Sequence, residues 1–162
     1  MLSHVLRGFK LLLNPFVYSS ALPYTSDMKQ ALHDTVLAVA TDVRYWAEGR
    51  SDNNDLNGWC AIASAELFRQ LQKEEIPAEI HYSLCHLDGQ SCHVYLVVDD
   101  HVVDVTATQF TEFRDKPVLI MHSREAEAYD FYVAKEIFNS AEALRIYQKK
   151  HRWVSDQIAY GK

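Results

Sequence analysis

The chain contains little cysteine, and the count excludes a fold built on disulfide bonds. Three cysteines occur in 162 residues, Cys60, Cys85 and Cys92. Small domains stapled by disulfides usually carry an even and much denser set. A single bond between Cys85 and Cys92 is compatible with this count, and it would leave Cys60 as a free thiol.

Long basic runs and long apolar runs are both missing. The formal net charge is −6, from 16 Lys and Arg against 22 Asp and Glu, so we do not expect a nucleic-acid backbone as the main partner. No stretch reaches the roughly 18 apolar residues of a membrane span. Residues 2–22 are fairly apolar, with Arg7 and Lys10 ahead of three leucines, and weakly resemble a signal peptide. Because Asn14-Pro15 interrupts this run, we favour an N-terminal segment that packs on the domain.

The length and composition predict one globular domain. A chain of 162 residues is about one domain long, and 48% hydrophobic residues are enough for a real core. We expect a single domain over 1–162, with a core at about 26–135, an N-terminal segment at 1–25 and a C-terminal helix at about 140–157. A cytoplasmic location is expected, with a secreted or injected effector as the alternative. The oligomeric state stays open.

Apolar residues recur at helical steps in two segments of the first half. The first predicts a helix at about 26–47, with Ser26 or Asp27 as the N-cap and Gly49 at its end. The second predicts a helix at about 59–73. Small residues along its stripe would permit close packing against a neighbouring element.

Strand-forming residues follow the second predicted helix. Asp88-Gly89 is a strong signal for a two-residue hairpin turn, and Asp99-Asp100 is a second candidate. Asn139 with Glu142 matches a capping box for a final helix. Strands are predicted at about 78–85, 92–98, 101–106, 118–121 and 129–133. Helices, then an antiparallel sheet, then a closing helix predict an α+β fold.

The segment Asn57-Gly58-Trp59-Cys60 places a thiol at the start of the second predicted helix. With Asn57 as the N-cap, Cys60 would lie in the first turn, where unpaired backbone N–H groups and the helix dipole favour the thiolate. The Cys60 N–H would then be free to help bind an oxyanion. The alternative is that Cys60 is a small buried hydrophobe, as most free cysteines are.

A histidine and a carboxylate fall on the two strands around Asp99-Asp100. If those two residues form the turn, Val98 faces His101, and His93 and Asp104 share one face as diagonal neighbours roughly 7–8 Å apart. The carboxylate could then orient the imidazole, as in a catalytic triad. A slip of one residue would separate the two side chains. The alternatives are a half-buried strand histidine and a turn carboxylate.

The Asp88-Gly89 turn predicts a direct opposition of Cys85 and Cys92, which permits a disulfide. His81 would lie on their side of the sheet, so these three residues could form a zinc site, with His86 as a further ligand. Their spacing matches no standard zinc pattern, and we expect no metal. His86 could instead line the site at His93.

The region from Asn57 to Phe110 resembles the transglutaminase-like superfamily of papain-fold thiol enzymes. That family shows Gly-x-Cys at a helix start, small residues one turn later, a Gly-Ile-Pro-Ala link, a His-x-Trp strand and an Asp-x-Thr strand. Glu75 stands where the link usually has glycine, and Tyr95 replaces the tryptophan. The matching segments are Gly58-Trp59-Cys60, Ala63-Ser64-Ala65, Ile76-Pro77-Ala78, His93-Val94-Tyr95 and Asp104-Val105-Thr106.

The resemblance implies a papain/transglutaminase-like fold, with a nucleophile helix packed on an antiparallel sheet and helices flanking it at both ends. It implies a triad of Cys60 as nucleophile, His93 as general base and then acid, and Asp104 as orienting carboxylate. The expected reaction is hydrolysis or deamidation of a protein, peptide or small amide through a thioester, without a cofactor. The alternatives are a catalytically silent binding module, acyl transfer to an amine and a Cys/His metal-binding module. The candidates for the oxyanion site or pocket are Asn53, Asn54, Asn57 and Trp59.

Overall fold

The computed structural model describes residues 28–84 and 92–151. Within them, helices and an antiparallel sheet form an α+β fold, as the sequence predicts. The helices are α1 (Gln30–Glu48), α2 (Cys60–Lys73), α3 (Ser123–Ala126) and α4 (Ala141–His151). The strands are β1 (Glu79–Leu84), β2 (Cys92–Val98), β3 (His101–Asp104), β4 (Leu119–His122) and β5 (Ala134–Phe138). Short 3₁₀ turns occur at Asp52–Asn54, Ala107–Gln109, Thr111–Phe113 and Asp130–Tyr132.

The five strands form one sheet in the order β4-β3-β2-β1-β5, and every neighbouring pair is antiparallel. Helices α1 and α2 pack on each other, and α2 lies against β2. The larger apolar core joins these helices to one face of the sheet and includes Leu144 of α4. A smaller cluster, rich in aromatic residues, covers the other face around Tyr95 and Tyr132. Strand β2 is therefore buried on both faces, which suits its central place in the sheet.

Helix α1 buries the apolar stripe that the sequence predicts, but it begins later than expected. Its N-cap residue is Lys29, which makes no side-chain capping hydrogen bond. The predicted caps, Ser26 and Asp27, lie outside the described residues. The C-terminal end agrees with the prediction, because Gly49 is the C-cap and its N–H bonds back to the carbonyl oxygens of Tyr45 and Ala47.

Helix α2 ends in a Schellman motif. The N–H of Ile76 bonds to the carbonyl of Leu71 at 3.0 Å, and the N–H of Glu75 bonds to the carbonyl of Gln72 at 3.1 Å. This is the paired 6→1 and 5→2 pattern of that motif. Glu75 is left-handed, with φ 57°, and Ile76 returns to pack in the same core as Leu71. The motif turns the chain from α2 into β1.

The register of the β1–β2 hairpin differs by one residue from the prediction. Leu84, not Cys85, lies opposite Cys92. The predicted opposition of Cys85 and Cys92 is therefore wrong, and Cys92 is a free thiol. The predicted turn at Asp88-Gly89 lies outside the described residues, as does Cys85. A two-residue turn at that position would require the other register, which explains the error.

The second hairpin follows the prediction. Val98 pairs with His101, and the turn residues Asp99 and Asp100 have φ values of 47° and 60°. Two successive left-handed residues match the type I′ turn that joins antiparallel strands most compactly. The strand ends at Asp104, two residues earlier than expected.

The C-terminal third departs from the prediction in its strand positions. The segment 129–133, predicted as a strand, contains a 3₁₀ turn at Asp130–Tyr132, and β5 follows it. Strand β4 begins at Leu119, one residue later than predicted. Short apolar runs carry little information about where strand pairing begins. Strand β5 pairs with β1, which lies far away in the sequence.

The final described helix has a different cap from the predicted one. The hydroxyl oxygen of Ser140 accepts a hydrogen bond from the backbone N–H of Ala143 at 3.1 Å. Ser140 therefore takes the N-cap position that the sequence prediction gave to Asn139. Serine and asparagine are equally good caps, so their adjacency left the sequence pattern ambiguous by one residue.

Candidate active site

His93 and Asp104 form a buried pair on one face of the sheet. His93 lies on β2 and Asp104 at the end of β3, and the register places both on the side of Tyr95 and Val102. His93 Nε2 is 2.7 Å from Asp104 Oδ2. The two side chains are 2% and 0% exposed. A buried carboxylate in an apolar strand requires such a partner, as the sequence pattern indicated.

Asp104 is bound through both carboxylate oxygens. Oδ1 accepts hydrogen bonds from the Thr106 backbone N–H at 2.7 Å and from the Thr106 hydroxyl at 2.9 Å. Oδ2, beside His93, also accepts the Tyr132 hydroxyl at 2.8 Å. Burial raises the pKa of Asp104, but the charge and hydrogen bond of His93 and the bonds from Thr106 and Tyr132 lower it below its usual value. Asp104 is therefore a carboxylate at neutral pH.

Tyr95 and Tyr132 are joined by a hydrogen bond next to the His93–Asp104 pair. The Tyr95 hydroxyl donates to the Tyr132 backbone carbonyl at 2.6 Å. The Tyr95 ring lies nearly parallel to His93, at 20° with centroids 5.9 Å apart. Tyr95, which replaces the tryptophan of the resembled family, thus fixes the segment that supplies the Tyr132 hydroxyl to Asp104.

Cys60 is the first residue of α2, but Asn57 does not cap the helix. The N-cap is Trp59, and it makes no side-chain cap bond. Asn57 is exposed, and its backbone and side-chain N–H groups both bond to the Asp55 carboxylate, at 2.9 and 3.4 Å. Because Cys60 is the first helical residue, its N–H has no acceptor within the helix. The predicted position of Cys60 in the first turn is therefore correct, although the predicted cap is wrong.

Cys60, in the first turn of α2, acts on the pKa of His93. Burial lowers the pKa of His93, but the charge and hydrogen bond of Asp104, together with a hydrogen bond and the charge of Cys60, raise it above its usual value. These contributions favour the imidazolium form of His93. Cys60 itself is 5% exposed and belongs to the main apolar core.

A buried hydrogen bond aligns α2 with β2 close to this contact. The Ser64 hydroxyl, one helical turn after Cys60, donates to the backbone carbonyl of Val94 at 2.9 Å. Val94 follows His93 directly in the strand. The bond therefore sets the position of the helix that carries the thiol relative to the strand that carries the imidazole.

Cys92 is a second thiol near the site. It precedes His93 in β2, is half-buried and packs against the core that contains Cys60. Burial and the charge of Cys60 raise the pKa of Cys92 to about 12. Cys92 is therefore a protonated thiol at neutral pH and a poor nucleophile.

Two phenylalanines border His93 on the aromatic side. Phe110 and Phe131 stack with ring centroids 3.7 Å apart and an angle of 8°. The Phe110 ring meets His93 edge-on at 4.8 Å. Both phenylalanine side chains are half-buried. They keep the surroundings of the imidazole apolar, which strengthens its interaction with Asp104.

Gln109 contacts the other nitrogen of His93, and the sequence pattern did not identify it. Its Nε2 is 3.1 Å from His93 Nδ1 and 3.3 Å from Thr106 Oγ1. Tyr132 was missed as well. A glutamine in a loop and a tyrosine in a 3₁₀ turn carry no local signal of such contacts, because only the fold brings them to the site.

A buried arginine fixes the loop that carries Gln109. Arg44 of α1 is 7% exposed, and its Nη1 donates to the Val105 carbonyl and the Thr108 hydroxyl, both at 2.9 Å. Its Nε also bonds Glu48 at 2.6 Å. The charge is thus fully paired, and α1 is joined to the segment that follows Asp104.

The other oxyanion and pocket candidates lie in the loop before α2. Asn53 and Asn54 are exposed and left-handed, with φ values of 55° and 60°, which asparagine tolerates better than most residues. Trp59 is half-buried and packs on the main core next to Cys60. The second oxyanion donor stays a prediction.

The predicted zinc alternative does not assemble. His81 lies opposite Tyr95, so it is on the His93 face, whereas Cys92 alternates to the helix side. The described residues contain no group of three or more His, Cys, Asp or Glu side chains that could hold a metal ion. Cys85 and His86 lie outside them. The one-residue change of register is what separates His81 from Cys92.

Comparison of the chain with protein-family models, with curated proteins and with solved structures found no match. Among the helices of the described residues, none is long and apolar enough to cross a membrane.

Proposed function

We propose that this protein carries out thiol-dependent acyl chemistry through Cys60, His93 and Asp104, in the manner of transglutaminase-like enzymes of the papain type. The observation that supports it best is the arrangement around His93. One ring nitrogen is bound to Asp104 at 2.7 Å, and Cys60 lies near enough to raise the pKa of the imidazole. A helix start, a thiol, an imidazole and a buried carboxylate are the parts that a thiol triad needs.

The contacts of His93 support proton transfer at Nδ1. Nε2 is committed to Asp104, so Nδ1 is the nitrogen that can take the Cys60 proton. The thiolate attacks the amide carbonyl carbon, and the resulting oxyanion is met by the free N–H of Cys60. His93 returns its proton to the leaving nitrogen, which departs as an amine or ammonia and leaves a thioester.

Hydrolysis or deamidation completes the proposed cycle. Water, deprotonated by His93 Nδ1, attacks the thioester carbon and releases a carboxylic acid and the Cys60 thiol. If a primary amine attacks instead of water, the outcome is acyl transfer. We place hydrolysis of a protein, peptide or small amide first.

A silent binding module is the second candidate, and one observation favours it. Cys60 is only 5% exposed, so a substrate carbonyl needs a local movement of the surrounding residues to reach the sulfur. A domain that kept the triad for packing alone would show the same burial.

The first test is the rate at which iodoacetamide alkylates Cys60 at neutral pH, read by peptide mass spectrometry. We expect Cys60 to react at least tenfold faster than Cys92, because the Cys92 pKa is raised to about 12 by burial. His93→Ala should slow Cys60 to the rate of an ordinary buried thiol. Cys92→Ser is the matched control, and it should leave the Cys60 rate unchanged.

The substrate screen then measures ammonia release from glutamine peptides and cleavage of short amides, with Cys60→Ala as the blank. Activity in the wild-type protein that the blank lacks supports the enzyme. A Cys60 that is unreactive, or whose rate is indifferent to His93→Ala, overturns the proposal in favour of the binding module.

A further inference from the structure

The four side chains His93, Asp104, Thr106 and Gln109 form a closed ring of hydrogen bonds. His93 Nε2 meets Asp104 Oδ2 at 2.7 Å, and Thr106 Oγ1 meets Asp104 Oδ1 at 2.9 Å. Gln109 Nε2 closes the ring, at 3.3 Å from Thr106 Oγ1 and 3.1 Å from His93 Nδ1. The direction of each bond can be assigned from donor and acceptor chemistry.

The ionised carboxylate of Asp104 fixes the directions of the bonds around it. Ionised Asp104 can only accept hydrogen bonds. The Thr106 hydroxyl therefore donates its single hydrogen to Oδ1, and His93 Nε2 carries the hydrogen that it donates to Oδ2. Thr106 Oγ1 can then only accept a bond from Gln109. The amide must therefore present its NH₂ group, not its oxygen, to both Thr106 and His93. In this orientation Gln109 donates to Nδ1, which must hold a lone pair.

We propose that Gln109 is a positioning residue that favours the neutral His93 tautomer with hydrogen on Nε2 and a lone pair on Nδ1, and that its bond to Nδ1 breaks when Nδ1 takes the Cys60 proton. The proposal deepens the proposed function, since it names what regulates the base of that site. Protonation of Nδ1 breaks the bond from Gln109, and the Thr106 contact opposes a flip of the amide. Gln109 therefore disfavours the imidazolium.

Gln109 acts against the other groups that face His93. The titratable groups around the ring, among the described residues, are Asp104 from β3, Cys60 from α2, Tyr95 from β2 and Tyr132 from the 3₁₀ turn before β5. Both tyrosines have pKa values raised above their usual range, first by burial and then by the charge of Asp104, so they stay neutral. Asp104 and Cys60 favour the imidazolium, and Gln109 is the donor that opposes them.

The opposing effects of Gln109 and of Asp104 with Cys60 on the protonation of His93 matter for catalysis. An imidazole that stays protonated cannot act as the base for water in the second half of the cycle, and one that never protonates cannot release the leaving amine. A hydrogen-bond donor at Nδ1 brings the neutral and the protonated forms of His93 closer in free energy. Phe110, which follows Gln109 in the chain and meets the His93 ring edge-on at 4.8 Å, limits ring rotation away from this contact.

The test is a pH titration of the His93 ring nitrogens by ¹⁵N NMR on the full chain, in wild type, Gln109→Met and Gln109→Glu. His93 signals are assigned by their absence in His93→Ala. We expect the wild-type neutral form to carry hydrogen on Nε2. Gln109→Met should raise the proton affinity of His93 roughly two- to tenfold, the value of one ordinary hydrogen bond. Gln109→Glu should raise it further, because it places a carboxylate at Nδ1.

Gln70→Met, at a half-buried amide on α2 that bonds Glu66, is the matched control and should change nothing at His93. Gln109→Glu is nearly isosteric and keeps the test open if the methionine variant misfolds. An unchanged or lowered proton affinity in Gln109→Met overturns the inference, as does a wild-type tautomer with hydrogen on Nδ1. The alkylation rate of Cys60 is a separate readout. If the Gln109 variants change the proton affinity of His93 but Cys60 is not alkylated, the inference about Gln109 stands and the proposed enzymatic function is rejected.

Discussion

Glu75 occupies a backbone conformation that suits glycine. Its φ is 57°, at the C′ position of the Schellman motif that ends α2. Non-glycine residues in this region are strained, whereas glycine adopts it freely. The side chain is exposed, so little packing would be lost by removing it.

We expect Glu75→Gly to raise the free energy of unfolding by about 0.5–1 kcal/mol, measured by urea denaturation at pH 7. Glu74→Gly is the matched control, because Glu74 has φ −84° and gains nothing from glycine. It should be neutral or destabilising. Equal effects of the two substitutions would show that Glu75 is not strained.

Single residues also show which parts of a sequence motif predict the structure correctly. The pattern Gly58-Trp59-Cys60 leads correctly to a thiol at a helix start, and His93 with Asp104 leads to a buried pair. Asn57 fails as a cap because α2 begins at Cys60 with Trp59 at the N-cap, so Asn57 lies two residues outside the helix, where its N–H groups bond Asp55. Asx contacts of this kind compete with capping at short range, and a sequence pattern cannot rank the two.

At the scale of elements, the relation between α2 and β2 decides whether the thiol meets the imidazole. Removal of the Ser64 hydroxyl in Ser64→Ala takes away the buried bond to the Val94 carbonyl. We expect a loss of about 1 kcal/mol in the free energy of unfolding, and a slower alkylation of Cys60 because its helix can shift along the strand.

Ser140→Ala separates the loss of stability from the shift of α2. It removes the cap of α4, which should also cost about 1 kcal/mol, but it lies on a different helix from Cys60. Its Cys60 alkylation rate should match the wild type. If both serine variants slow alkylation equally, the cause is lower stability and not helix alignment.

At the scale of the whole molecule, the buried His93–Asp104 pair links stability to pH. The Asp104 pKa is lowered below its ordinary value of 3.8, chiefly because His93 outweighs the cost of burial. A lowered carboxyl pKa contributes stability that is fully present above the unfolded value and is lost as the pH falls through the folded value. The contribution of Asp104 should therefore be constant at neutral pH and disappear in acid.

We expect Asp104→Asn to lower the free energy of unfolding by about 3 kcal/mol at pH 7, and the difference from wild type to shrink as the pH falls below 3.8. Urea midpoints at pH 7, 5, 3 and 2 measure it. Asp34→Asn, at an exposed position on α1, is the control. A difference that grows in acid would contradict the lowered pKa of Asp104.

Much of the architecture is readable from the sequence, since it depends on local periodicity. The stripe of α1, the bounds of α2 and β2, and the Asp99-Asp100 turn each depend on residues within one or two turns of one another. The α+β class follows from their order. The papain-like character of the fold stays part of the proposal.

Only the tertiary structure decided the contacts between distant segments. The β1–β2 register places Leu84 opposite Cys92, and this one-residue change removed both the predicted disulfide geometry and the zinc alternative. Tyr132 and Gln109 reach the His93–Asp104 pair from segments that show no periodic signal, and Arg44 joins α1 to the same loop. The physical reason is that a buried polar group takes whichever partner the fold brings within about 3 Å, and sequence spacing does not encode that distance.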